Sequence, residues 1–439
     1  MQSLELELFD YPLDYDIVVE GNYYHDPSIP DDQITWQYTC VRPNFEFPDI
    51  DFEVLERCFI PEENGEPTKA GSCSFELECA AISRAGLPAK YQPQARTKAF
   101  GLGVKPSGTI MVYNDNTGIS ESLKGAKIRC HYLVNISSSY TDINGHYAIN
   151  NKYVCNPHYA IVYDNTKNFI IWGNYAFVAA ANHNLGYQAN TGYDKTVDTS
   201  EDGWKWAVIN NAAYDYYEMC SNEGILPPPD NLKIWCWPNA SSSSAPMLHH
   251  LIGINIPGLS GMLVAVLISG VAAPITAAVS AATIFINSAL PDITIGMTHG
   301  SATPHSNYSE HYYTVWHELT HSSHFAKVGE TLWAPYINYI VLKGGYGDGT
   351  STSVDRNICE LGESWAYANQ RYESGIPYYG SSCWFAKSIS SINMLMNSSI
   401  LSRKQIYDCL TKDVKSINDL KAKLIVKHPT KSIQINAAF

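Results

Sequence analysis

The segment His317-Glu318-Leu319-Thr320-His321 places the tightest limit on how this chain folds. The surrounding pattern predicts a helix over Tyr308–Val328, because Tyr312, Val315, Leu319 and Ala326 recur at helical spacing and Gly329 stands where a helix would stop. Side chains four residues apart on a helix project from one face, so the two imidazoles can point at a single ion. Glu318 stands at the edge of that face, where it can reach a water without ligating the ion. His324 lies about 10 Å along the helix from His317 at 1.5 Å per residue, too far to share an ion without a bend. It is left either as a contact to a ligand residue or substrate or as a histidine with no special role.

A catalytic zinc ion takes three protein ligands and keeps one position open. Two carboxylates on a second predicted helix, in the stretch from Asn357 to Tyr367, can complete the set: Glu360 and Glu363. They are three residues apart, so spacing alone does not separate them. The context favours Glu363, since Gly362 is expected to let two helices approach and Trp365 and Ala366 to pack the carboxylate in place. A transition-state oxyanion needs a further donor, and Tyr367, Tyr372, Tyr378 and Tyr379 are all candidates.

Two histidines at this spacing, followed by a glutamate on a further helix, resemble the gluzincin clan of zinc metallopeptidases over roughly residues 225–400. The resemblance implies Zn2+ as cofactor, with His317, His321 and Glu363 as ligands. It also implies Glu318 as general base on the attacking water and a peptide or protein as substrate. No Gly-x-Met-Glu-Asn motif is present, so an endopeptidase is expected and not an aminopeptidase. The metzincin pattern, with a glycine and a third histidine further on, is not matched, because Ser323 and His324 follow instead. A strand candidate, Asp292–Gly296, precedes the helix and is expected to be a free sheet edge along which an extended substrate adds.

The N-terminal part reads differently. Residues 1–100 mix short β-like runs, such as Tyr15–Val19 and Ile34–Tyr38, with one short helix near Ser74–Ala85, and no chemistry is visible there. From Gly101 the pattern changes to short strands at Thr109–Tyr113, Ala126–Val134, His146–Ile149 and Tyr159–Tyr163, with Asn144-Gly145 predicting a two-residue hairpin turn. Three motifs carry a second resemblance: Gly108-x-Ile110-x-Val112, Leu123-x-Gly125-Ala126-x-Ile128 and Thr141-Asp142-x-x-Gly145-x-Tyr147-x-Ile149. They are similar to the carboxypeptidase regulatory-like domain, which implies a non-catalytic immunoglobulin-like sandwich. The chain is also similar to exported proteins of the Bacteroidetes type, which implies an extracellular or cell-envelope location. Its opening residues show no basic, apolar and cleavage regions of an export signal.

The expected fold is therefore α+β and multidomain. Residues 1–100 have no assigned role, 101–175 form the immunoglobulin-like β-sandwich, and 176–439 form a mainly helical, gluzincin-like zinc peptidase domain with a small edge sheet. Within the last part a helix is expected from Trp204 to Cys220, stopped by Gly224, and a strand at Asn231–Trp237. Residues 256–286 contain neither charge nor side-chain amide. They are either a buried pair of helices, which Pro257 and Pro274 suit, or a membrane contact.

A net charge of −14 without a clustered basic patch argues against nucleic acid as a partner. The eleven cysteines include no C-x-x-C pair, so neither a thiolate zinc ribbon nor a redox motif is indicated. A non-catalytic surface-binding or adhesion protein with a degenerate peptidase fold is the competing expectation. The intact Glu318 speaks against it.

Overall fold

The computed structural model describes residues 29–30, 36–39, 41, 53–54, 103–132, 135–173, 180–237, 243–251, 291–296, 307–343, 345–376 and 383–439. The short helix near Ser74–Ala85, the uncharged run 256–286, Tyr378 and Tyr379 lie outside these residues. The fold class is mixed α and β, as the sequence implies, with eleven strands and eight α-helices among the described residues.

Two compact units divide the chain. The first comprises Met1–Tyr113, Ile119–Thr166 and Asn174–Trp204, and the second Asn114–Gly118, Lys167–Gly173 and Lys205–Phe439. Among the described residues of the first unit, β1 (Ser107–Asn114) lies between β2 (Ile119–Ser122) and β5 (His146–Ala148). In a second set of pairings, β3 (Ala126–Tyr132) is antiparallel to both β4 (Asn135–Tyr140) and β6 (His158–Asn165), and β6 also pairs antiparallel with β8 (Asn182–Tyr187). Strand β9 (Lys195–Val197) runs parallel to β1. Because β8 and β9 complete these pairings, the unit continues past the expected boundary at residue 175 as far as Trp204.

The residues that carry the regulatory-domain resemblance are core positions. Ile110, Val112, Leu123, Ala126, Ile128, Tyr147 and Ile149 are all buried, spaced as alternation on a half-buried strand requires. Gly108 is fixed by close approach, since a Cβ there would stand 2.4 Å from the Tyr193 carbonyl oxygen. The hairpin at Asn144-Gly145 departs from expectation. Gly145 takes a positive φ of 76° but Asn144 does not. The reversal spans Asp142–Gly145, closed by Gly145 N–H on the Asp142 carbonyl at 3.0 Å. The Asp142 carboxylate accepts from the Asn144 and His146 N–H groups at 2.8 and 2.9 Å, which holds Asn144 out of the left-handed region.

The second unit contains a parallel three-strand ladder in which β10 (Leu232–Trp237) lies between β7 (Phe169–Trp172) and β11 (Ile293–Gly296). Parallel strands are buried on both faces, and Leu232, Ile234, Ile293 and Ile295 are fully inaccessible. Helix α1 (Gly203–Glu223) ends at Gly224, whose φ is 68°. The remaining helices are α2 (Tyr308–Val328), α3 (Glu330–Lys343), α4 (Val354–Ser374), α5 (Ala386–Asn397), α6 (Arg403–Tyr407), α7 (Ile417–Lys427) and α8 (Ser432–Ala438).

The expected free edge of β11 is not free. On the side away from β10, Ser244 and Thr294 exchange backbone hydrogen bonds of 3.0 and 2.8 Å, Met247 N–H reaches the Asp292 carbonyl at 2.9 Å, and Gly296 N–H reaches the Ser243 hydroxyl at 3.1 Å. Extended addition of another chain to this edge would require displacing the 243–247 segment. No helix among the described residues is long and apolar enough to cross a membrane.

Candidate metal centre

Helix α2 begins and ends where the sequence places it, and the reason is visible at both ends. At the start, Asn307 Oδ1 accepts from Glu310 N–H at 3.0 Å. Asp115 accepts from Tyr308 N–H at 2.8 Å and Asn116 from Ser309 N–H at 2.6 Å, so three of the four orphan donors of a helix N-terminus are satisfied. At the end, Gly329 takes φ 73° and its N–H bonds to the Phe325 carbonyl. The sequence implies a single apolar stripe, yet every residue from Val315 to Phe325 is buried. The helix tolerates this because its hydroxyls turn onto carbonyls: Thr320 on Trp316, Ser322 on Glu318 and Ser323 on Leu226.

Helices α3 and α4 pack against α2, and two side chains of α2 meet one of α4 at one point. His317 Nε2 and His321 Nε2 lie 3.1 Å apart. Glu363 of α4 faces both, its Oε2 at 3.4 Å from His317 Nε2 and its Oε1 at 3.5 Å from His321 Nε2. All three residues are buried, and among the described residues theirs is the one cluster of histidine, cysteine or carboxylate ligands able to hold a metal ion. The donor set is two imidazole nitrogens and one carboxylate oxygen, a set that suits zinc and leaves a fourth position for water. Glu363 Oε2 has no hydrogen-bond partner although it is buried, which is costly for a carboxylate unless a cation completes it. The residues therefore fit a divalent cation.

The electrostatics point the same way. Burial would raise the Glu363 carboxyl, but His321 and His317 beside it hold it well below the ordinary carboxylate range. Burial pushes His321 down, with Glu363 opposing and His317 adding to the fall. For His317 burial also acts downward, but the carboxylates of Glu363 and Glu318 outweigh it and the net direction is up. The directions favour an ionised carboxylate on Glu363 and bias His321 towards the neutral form that can donate a lone pair. Burial pushes Glu318 up to about 8, with His317 opposing and Glu363 adding. A bound cation would lower it again.

The surroundings contain Tyr336, Tyr346 and Gln370, which the sequence reading missed, beside Tyr367, which it named as a candidate donor. Tyr336 of α3 donates its hydroxyl to Glu363 Oε1. Tyr367 of α4 stacks edge-on to His317 with ring centroids 4.3 Å apart. The Tyr346 hydroxyl lies against that of Tyr367; burial raises both phenols, and the fields of Glu363 and Glu318 raise them further. Gln370 lies beside His317 and favours its protonated form, while its Oε1 and His317 Nδ1 each lack a partner at full hydrogen-bond geometry. A signal existed for Tyr346, an aromatic set among glycines at 345, 347 and 349, all with positive φ. None existed for Tyr336.

The other expected residues divide. Glu360 accepts from Arg356 and from the Ser388 hydroxyl at 2.6 Å and takes no part in the cluster. His324 is buried against Trp333 with ring centroids 5.8 Å apart, and burial pushes it down to about 3. Tyr372 lies under the Arg403 guanidinium at 5.0 Å and does not join the site. Gly362 is not needed for helix approach, because a Cβ there would meet the Tyr336 ring at an ordinary 3.6 Å.

Fold and site together define an α+β protein with a buried His–His–Glu group suited to a metal ion. No protein-family model, curated protein or solved structure matches the chain.

Proposed function

We propose that this chain is a zinc-dependent peptide hydrolase, an endopeptidase of gluzincin type, in which His317, His321 and Glu363 hold the ion and Glu318 is the general base. The observation that carries the reading is the buried Glu363 carboxylate facing both imidazoles, Oε2 towards His317 Nε2 and Oε1 towards His321 Nε2, with Oε2 making no hydrogen bond. Held by these three side chains, zinc would supply a Lewis acid for the scissile carbonyl and would lower the pKa of a water. Glu318, next to the first ligand in sequence, takes the proton of the attacking water and delivers it to the leaving amine. Tyr346 and Tyr367 stay protonated and stand near both carboxylates, so their hydroxyls are the donors available to a developing oxyanion. The substrate is a peptide or protein. The first unit serves as an immunoglobulin-like, regulatory-type module that positions the enzyme, with work at the cell surface or outside the cell.

The covered edge of β11 favours a second reading, a non-catalytic surface-binding protein that keeps the ion for structure. One experiment separates the two. Protein purified without chelator is assayed for metal by mass spectrometry and then tested on a peptide library, beside Glu318→Gln. The hydrolase reading expects one zinc per chain in both proteins and a fall of about 10²–10⁴-fold in hydrolysis for the variant. Stoichiometric zinc with no cleavage by the wild type would establish the second reading.

A further inference from the structure

The Tyr336 hydroxyl is turned onto one of the candidate metal ligands, Glu363. It donates to Glu363 Oε1, and the other oxygen of the same carboxylate, Oε2, has no partner. The Tyr336 ring cannot easily swing away. It is 3% exposed, lies at 4.7 Å from the Trp333 ring, one turn back on α3, and at 5.7 Å from the His321 ring. Gly362, beside the ligand, presents no side chain to it.

A carboxylate can bind a divalent ion through one oxygen or through both. Using both takes up a coordination position that a hydrolytic centre needs for water or substrate. Resting on the metal-site reading above, we propose that Tyr336 is a positioning residue that occupies Glu363 Oε1 and so reserves Oε2 as the single carboxylate oxygen offered to the ion. The phenol thereby sets the coordination number of the site as well as the orientation of its ligand. Its effect runs entirely through Glu363, which distinguishes it from Tyr346 and Tyr367 and from a residue that merely fills space.

The test uses the full chain and Co2+ as spectroscopic probe, with Zn2+ affinity measured by chelator competition. Tyr336→Phe keeps the ring and removes only the donor. It is expected to bind Zn2+ about 10–100-fold more weakly, as loss of a group orienting a ligand does. Its Co2+ visible absorption is expected to weaken, as it does when coordination rises above four. The same substitution in a Glu363→Gln background should add little further loss, because the two residues act as one unit. Independent, additive losses would mean that Tyr336 acts through packing, and would overturn the proposal. A melting curve of the metal-free variant matching the wild type identifies any loss as one of metal binding. Unchanged affinity and spectrum in Tyr336→Phe would overturn this proposal alone, whereas a wild type that binds neither ion would overturn the metal reading and this proposal with it.

Discussion

Glu360 and Glu363 stand less than one turn apart on α4 and face different surroundings: Glu363 meets two imidazoles, while Glu360 is held by Arg356 and the Ser388 hydroxyl. The division follows from helix geometry, since three residues turn the side chain by about 300° and leave the two carboxylates pointing some 60° apart. Glu363→Ala should therefore purify almost free of zinc. Glu360→Ala should retain the metal and lose roughly 1–2 kcal/mol of stability with its charged hydrogen bonds. Metal content by mass spectrometry decides the matter, and zinc retained in Glu363→Ala at the wild-type level would remove Glu363 from the ligand set.

Asp115 caps the helix that carries both histidines from 193 residues away in sequence. It supplies a hydrogen-bond acceptor and a negative charge at the positive end of the helix dipole. Asp115→Ala should cost about 0.5–2 kcal/mol in urea unfolding, and Asp115→Asn, which keeps an acceptor, noticeably less. Equal losses in the two variants would mean that the charge alone matters at this site.

His250 makes the stability of the second unit depend on pH. Its Nδ1 is 2.8 Å from Asp292 Oδ1 and its Nε2 is 3.1 Å from the Asp230 carbonyl oxygen, so the doubly protonated ring satisfies both acceptors. Burial acts to lower its pKa, but Asp292 and the Asp230 carbonyl outweigh burial and the net direction is up. A group raised on folding contributes its stabilisation fully below the unfolded value of about 6.5 and loses it as the pH rises through the folded value. Wild-type stability should fall across that window by more than that of His250→Gln. Unfolding midpoints that track each other from about pH 5.5 to 8.5 would show that the His250–Asp292 pair does not titrate in this way.

Much of this architecture was legible in the sequence because it is local. The bounds of α2 follow from Asn307, the periodic apolar residues and Gly329, and α1, β10 and β11 follow from the same kind of punctuation. The positions of His317 and His321 relative to each other were likewise fixed by helical spacing. What escaped was set by packing between distant segments. Tyr336 reaches Glu363 only because α3 folds back beside α4, and a phenol among thirty tyrosines carries no local mark of that. The burial of α2 on all sides was hidden because Ser322 and Ser323 read as polar until their hydroxyls are seen to bond carbonyls. The Asp142 side chain overrode the turn type that Asn144-Gly145 implies in isolation.

The strap of residues 243–247 over β11 has a consequence outside catalysis. A bare edge in a parallel, largely apolar ladder would present an unpaired row of N–H and C=O groups to any other copy of the chain, the template from which sheets polymerise. Ser243, Ser244 and Met247 occupy that row, and Met247 accepts a left-handed φ of 56° to do so. Such a conformation in a residue that is not glycine costs on the order of 1 kcal/mol. A little backbone strain at Met247 thus accompanies a β11 edge whose hydrogen-bonding groups are already taken up within the chain.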